Sequence, residues 1–163
     1  MIAPAENLGN GDEESYRNVD VKAVIASCNE IGRRVREETG IEIGYHPEQG
    51  DIRAGMWDKL VDGTNPKYFG FWPDVGHLKA CGVDPIGVYK KYRARLVGTH
   101  LRDFQPDAQS QRGRMVPFGQ GIIDLPGLVA YLRDTKFSGP VMGEGGGTEA
   151  MRDYMAGKLG LSL

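Results

Sequence analysis

The chain is poor in the residues that mark several function classes. It holds only two cysteines, Cys28 and Cys81, among 163 residues. They are too few and too far apart for a zinc knuckle or a disulfide framework, so reduced thiols in a cytosolic protein are expected. No apolar run approaches the roughly 18 residues of a spanning helix. The start, Met1-Ile2-Ala3-Pro4-Ala5-Glu6-Asn7, lacks the basic region and apolar core of an export signal. The expectation is a soluble, cytoplasmic protein with no membrane partner. A formal net charge of −2 shows no bias toward nucleic acid, and none is expected as a partner. Asn7-Leu8-Gly9-Asn10-Gly11 is followed by no Gly-Lys-Ser/Thr, so it is not a phosphate loop. Histidine is scarce too, with three residues, whereas glycine is plentiful at 24 and clusters at turns and strand ends.

The scarce histidines are well placed. Ile41–Tyr45, Tyr68–Trp72, Leu96–Thr99 and Pro140–Gly143 are short apolar runs that predict strands. His46, His77 and His100 follow the first three, and Glu144 follows the last. Between the runs lie helical patterns. Asn18 or Asp20 predicts a cap for a helix to Glu38, whose buried stripe is Val21, Val24, Ile25, Cys28, Ile31 and Val35. Thr39-Gly40 stops it. A short helix is predicted around Met56–Val61, others from Pro85 to Tyr92 and Leu125 to Thr135, and a last one from Thr148 to about Leu159. Gln105–Arg114 shows no periodicity. Strands alternating with helices predict a parallel sheet covered by helices, with no visible domain boundary.

Side chains at the carboxyl ends of successive parallel strands converge on one mouth, where barrel enzymes place their catalytic groups. Asp74 and His77, three apart in a glycine-containing turn, can both face it, with His100 and Glu144 arriving from the next strands. Imidazoles and carboxylates in that arrangement suit a divalent metal and leave room for substrate oxygens. Each residue alone has a plainer reading. A lone histidine is more often a hydrogen-bonded structural group, and Asp74 or Glu144 could cap a helix or pair with an arginine.

Four segments carry a family resemblance. Gly44-Tyr45-His46-Pro47-Glu48 resembles a strand ending in His-Pro-His. Asp74-Val75-Gly76-His77 with Gly82-Val83-Asp84-Pro85 resembles an Asp-x-Gly-His…Gly-x-Asp-Pro element. Thr99-His100-Leu101-Arg102-Asp103 resembles a His-Leu-Lys-Asp strand, and Val116–Asp124 a Pro-Leu-Gly-Gln-Gly-x-Val-Asp segment. Together they are similar to the carboxyl-terminal part of the xylose isomerase-like TIM barrels, the sugar phosphate isomerase/epimerase group that also holds inosose dehydratases. The resemblance implies an α/β fold, a partial TIM (β/α)8 barrel of about the last five strand-helix units. Residues 1–163 would form one such domain, with Ala3–Leu8 ending the fourth strand and about the first three units absent. Open sheet edges then predict self-association or pairing with a missing amino-terminal half.

The implied site is specific. Asp74, His100 and Glu144 are the implied metal ligands, with His46 in the fourth place or Glu48 supplying its carboxylate. Glu144 is also the implied acid/base, with Glu48 or His46 as the second. His77 and either Arg112 or Arg114 are the implied substrate contacts, and the Trp72 ring is a further candidate that could stack on a sugar face or serve core and rim packing. Arg102 stands where lysine is usual, and Gly145-Gly146-Gly147 replaces bulkier residues. The metal would be manganese, cobalt, magnesium or zinc. The implied activity is isomerisation or epimerisation of a keto-sugar or polyol through an enediolate. The alternatives are an inosose dehydratase-type lyase and a truncated, non-catalytic metal-binding half barrel. Endonuclease relatives need a multi-metal cluster that three histidines cannot build.

Overall fold

The structure, a computed structural model, describes residues 2–3, 16, 18–107, 113–144 and 148–161. Its contacts group into two compact units. The first comprises residues 1–73 and 92–98, the second residues 74–91 and 99–163. The expected alternation of strands and helices is present. Among the described residues the strands form one three-stranded and two two-stranded sheets, and no closed barrel.

In the first unit, β1 (Ile2–Ala3), β2 (Ile43–Tyr45) and β3 (Phe69–Phe71) run parallel. Every residue of β2 and β3 is buried, as befits a parallel sheet covered on its faces. Helix α1 (Val21–Thr39) packs on both strands. Asp20 caps it by accepting from the Lys22 and Ala23 N–H groups, and Gly40 ends it in the left-handed region at φ 72°. Its stripe needs one correction. Ile31 is 52 % exposed, while the neighbouring Gly32 is buried. A β-carbon at Gly32 would run into the Tyr68 carbonyl, so close backbone approach, rather than a large apolar side chain, makes this contact. The stretch after β2 holds two helices where one was expected, α2 (Gln49–Arg53) and α3 (Trp57–Gly63). Trp57, Phe71 and Tyr92 form the aromatic centre of the unit, with ring centroids 5.4–5.7 Å apart.

In the second unit, α4 (Val75–Ala80) and α5 (Pro85–Lys91) precede β4 (Thr99–Leu101). The strand expected over Leu96–Thr99 is thus shifted toward the carboxyl end, after a 3₁₀ turn at Arg93–Arg95, so His100 lies within β4 rather than just past it. The two arms of an antiparallel pair, β5 (Asp103–Gln105) and β6 (Arg114–Val116), flank the stretch without periodicity and share only its end residues. Helix α6 (Leu125–Asp134) buries Leu125, Leu128, Val129 and Leu132, and Asp124 caps it through the Gly127 N–H at 2.9 Å. β7 (Val141–Gly143) pairs in parallel with β4, and α7 (Thr148–Gly157) follows. Among the described residues no helix is long and apolar enough to cross a membrane.

Candidate metal centre of the second unit

Three neighbouring backbone segments deliver the cluster. Asp74 and His100 form a parallel bridge, and His100 lies opposite Met142 in the β4–β7 ladder. The Glu144 N–H donates to the Leu101 carbonyl at 2.9 Å, carrying that ladder one residue past β7. Side chains alternate along the chain from β4. Leu101 and Asp103 are almost wholly buried, whereas His100, also buried, and the half-buried Arg102 both reach toward Asp74 and Glu144.

Asp74 is fully buried and its two oxygens have different work. Oδ1 accepts from the Gly76 and His77 N–H groups at 2.7 and 3.0 Å, capping α4. Oδ2 faces His100 Nδ1 at 3.9 Å and Arg102 Nε at 2.8 Å. Capping therefore fixes the carboxylate plane and leaves one oxygen aimed at the cluster. The expected turn at Asp74–His77 is in fact the first turn of a helix, so His77 lies within α4, buried, rather than past a strand. Gly76 makes the close packing possible. A β-carbon there would stand 2.8 Å from the Arg102 Cβ and 3.0 Å from Met115 Sδ.

Glu144, with 44 % of its side chain exposed, places Oε2 3.0 Å from His100 Nδ1. Its Oε1 pairs tightly with Arg102 Nη2. The Arg102 hydrogen bond lowers the Glu144 pKa from its ordinary value, against an opposing push from burial, so this carboxylate stays ionised at neutral pH. Arg102 thus forks between Asp74 and Glu144. The plainer readings of both acids, a helix cap and arginine partners, hold alongside their convergence.

Sequence reasoning overlooked Asp103. Its buried carboxylate accepts the Phe104, Gly119, Gly121 and Ile123 N–H groups at 2.9–3.2 Å. A β-carbon at Gly121 would strike that carboxylate, which explains the glycine of the Gly-Gln-Gly segment. An aspartate followed by a glycine-rich loop was the available signal. Behind β4, the buried Tyr89 hydroxyl bonds to Thr99 Oγ1.

The other expected residues are placed as follows. His46 and Glu48 belong to the first unit, with His46 Nδ1 3.7 Å from Glu48 Oε1. The Glu48 N–H donates to Asp51 Oδ2 at 2.7 Å at the start of α2. Trp72, also in the first unit, packs where Gly44 and Gly98 leave room for its ring. Arg114 is exposed on β6, 3.4 Å from Gln105 Oε1. Arg112 and Gly145–Gly147 lie outside the described residues.

Two carboxylates and an imidazole are donors of the kind that manganese, cobalt or zinc accepts, so Asp74, His100 and Glu144 fit a divalent ion. The model of the xylose isomerase-like TIM barrels matches residues 2–156, and the chain belongs to that family. An inosose dehydratase of Clostridium beijerinckii is 26 % identical over 144 residues, covering 79 % of this chain and 48 % of the relative. Among solved structures, a sugar phosphate isomerase/epimerase from Parabacteroides distasonis superposes with a TM-score of 0.66 at 15 % identity. That match covers 90 % of this chain and 55 % of the other. The IolI protein, solved with a bound zinc atom, gives a TM-score of 0.53 at 19 % identity, covering 84 % of this chain and 52 % of that one. The chain spans about half the length, or less, of the curated relatives it matches.

Proposed function

We propose that the chain acts in a divalent-metal-dependent sugar isomerase or epimerase, on a keto-sugar or polyol. The convergence of Asp74, His100 and Glu144 in the second unit carries this reading. A divalent ion held there would polarise a carbonyl and stabilise the charge that develops when the adjacent carbon loses its proton. Asp74, oriented by its cap on α4, and His100 on β4 serve as fixed donors. Glu144 is the reachable ionised carboxylate, suited to accept a proton from that carbon and return it. Epimerisation needs one group to take the proton from one face of the carbon and another to return a proton to the opposite face, and Glu48 or His46 is the proposed second group. His46 is also the proposed fourth metal donor, and His77, Trp72, Arg112 and Arg114 are proposed for the substrate.

The dehydratase reading draws support from the inosose dehydratases among the relatives. Both reactions begin by removing the proton beside a carbonyl and differ in whether a β-hydroxyl then leaves. The test is turnover of keto-sugars and inososes in deuterium oxide, followed by NMR, with manganese or cobalt and with a chelator. Isomerisation or epimerisation should place deuterium on the carbon beside the carbonyl, and dehydration should release water from the inosose. Activity that survives chelation, or products without deuterium, would sink the proposal. Metal binding without any turnover would favour the non-catalytic reading.

A further inference from the structure

A guanidinium lies where a divalent ion would take its charge. Arg102 Nε is 2.8 Å from Asp74 Oδ2, and its Nη2 pairs with Glu144 Oε1. These are two of the three donors assigned to the ion, and only 18 % of the Arg102 side chain is exposed. One carboxylate oxygen of Asp74 is already committed to the α4 cap, so the ion and Arg102 require the same second oxygen. Gly76 admits the Arg102 Cβ to this position.

We propose that Arg102 is a tethered cation that holds the Asp74–Glu144 pair and competes with a divalent ion for it. The inference rests on the metal reading above. Without metal, the guanidinium neutralises two converging carboxylates and keeps them in place. With metal, it must release them. A guanidinium bridges two carboxylates through a rigid fork, whereas a lysine ammonium is a single flexible point charge. The arginine at this position is therefore a stronger competitor than lysine would be, and it sets the metal concentration at which the site fills.

Manganese affinity of the full chain, measured by calorimetry for wild type, Arg102→Lys and Arg102→Met, tests this. Arg102→Met should bind about tenfold more tightly and Arg102→Lys by an intermediate factor, since removing a bound competitor raises apparent affinity. The melting temperature of Arg102→Met without manganese should fall, and its rise on saturation should exceed that of wild type. In wild type, the Arg102 guanidinium NMR signals should shift as diamagnetic zinc is titrated in. If wild type binds manganese and Arg102→Met binds it no more tightly, the competition is overturned while the metal site stands. If neither binds manganese or zinc, both readings fall. Should Arg102→Met not fold, an affinity of Arg102→Lys no higher than wild type overturns the proposal.

Discussion

Two arginines, one in each unit, hold their surroundings in opposite ways. In the first unit, Arg95 donates to the carbonyls of Val61, Thr64 and Phe69 and to the Thr64 hydroxyl, at 2.6–3.1 Å. Every one of these acceptors is neutral. Burial lowers the pKa of Arg95 from its ordinary value, with Asp62 pulling the other way. In the second unit, Arg102 meets two carboxylates instead. A fork that satisfies backbone carbonyls ties a helix end to a strand and has no competitor, because a metal gains little from scattered neutral oxygens. A fork between two anions occupies a site that another cation would favour. Arginine is a fastener in one unit and a place-holder in the other.

The largest effect should come from the acids that Arg102 holds. Asp74→Ala or Glu144→Ala is expected to weaken manganese binding by about 100-fold or more, since loss of a ligand exceeds the usual cost of losing a supporting residue. Arg95→Met should leave that affinity unchanged. Calorimetry on the three variants checks both statements, and normal binding by the two acid variants would refute the site.

Next in size is stability. Arg95→Met strips a donor from the carbonyls of Val61, Thr64 and Phe69, while the Thr64 hydroxyl keeps its bond to the Leu60 carbonyl, and each buried group left unsatisfied costs about 1–3 kcal/mol. With partial rescue by water, a loss of about 2–4 kcal/mol is expected in urea unfolding. Saturating manganese should restore none of this difference from wild type, whereas it should recover most of the loss in Arg102→Met. Equal rescue of both variants would erase the distinction between the two arginines.

The smallest effect is on acid sensitivity. The Glu144 pKa is lowered in the folded protein, first by its hydrogen bond from Arg102. The unfolded chain therefore binds this proton more readily. Its contribution to stability is present above the ordinary value of 4.5 and is lost as pH falls through the lower, folded value. Thermal unfolding of Glu144→Gln should consequently depend less steeply on pH below about 4.5 than wild type. Arg95→Met should keep the wild-type slope, and a steep slope in Glu144→Gln would assign the acid response to other carboxylates.

Much of this molecule was legible from local chemistry. Asp20 and Gly40 bound α1, Asp124 and Pro126 start α6, and His46 and Glu144 directly follow their strands. Helices α2 and α4 were not legible as helices. At five and six residues they are too short to show a period, and Gly76 in α4 reads locally as a turn. The arms β5 and β6 have three residues each, too few to display alternation. Ile31 follows the helical spacing yet remains outside, because periodicity names a face and not which neighbour covers it.

The chain alone determined the order of strands and helices, the caps that begin and end the longer helices, and the donor types near the strand ends. These depend on spacing and on side chains acting on backbone within a few residues. Only the tertiary structure decided that Arg102 lies between Asp74 and Glu144, and that Asp103 gathers the loop from Gly119 to Ile123. Those contacts join residues far apart in the chain and depend on the direction each side chain takes from its strand end. Direction follows from register and packing, so two arginines seven positions apart in one sequence took up different physical roles.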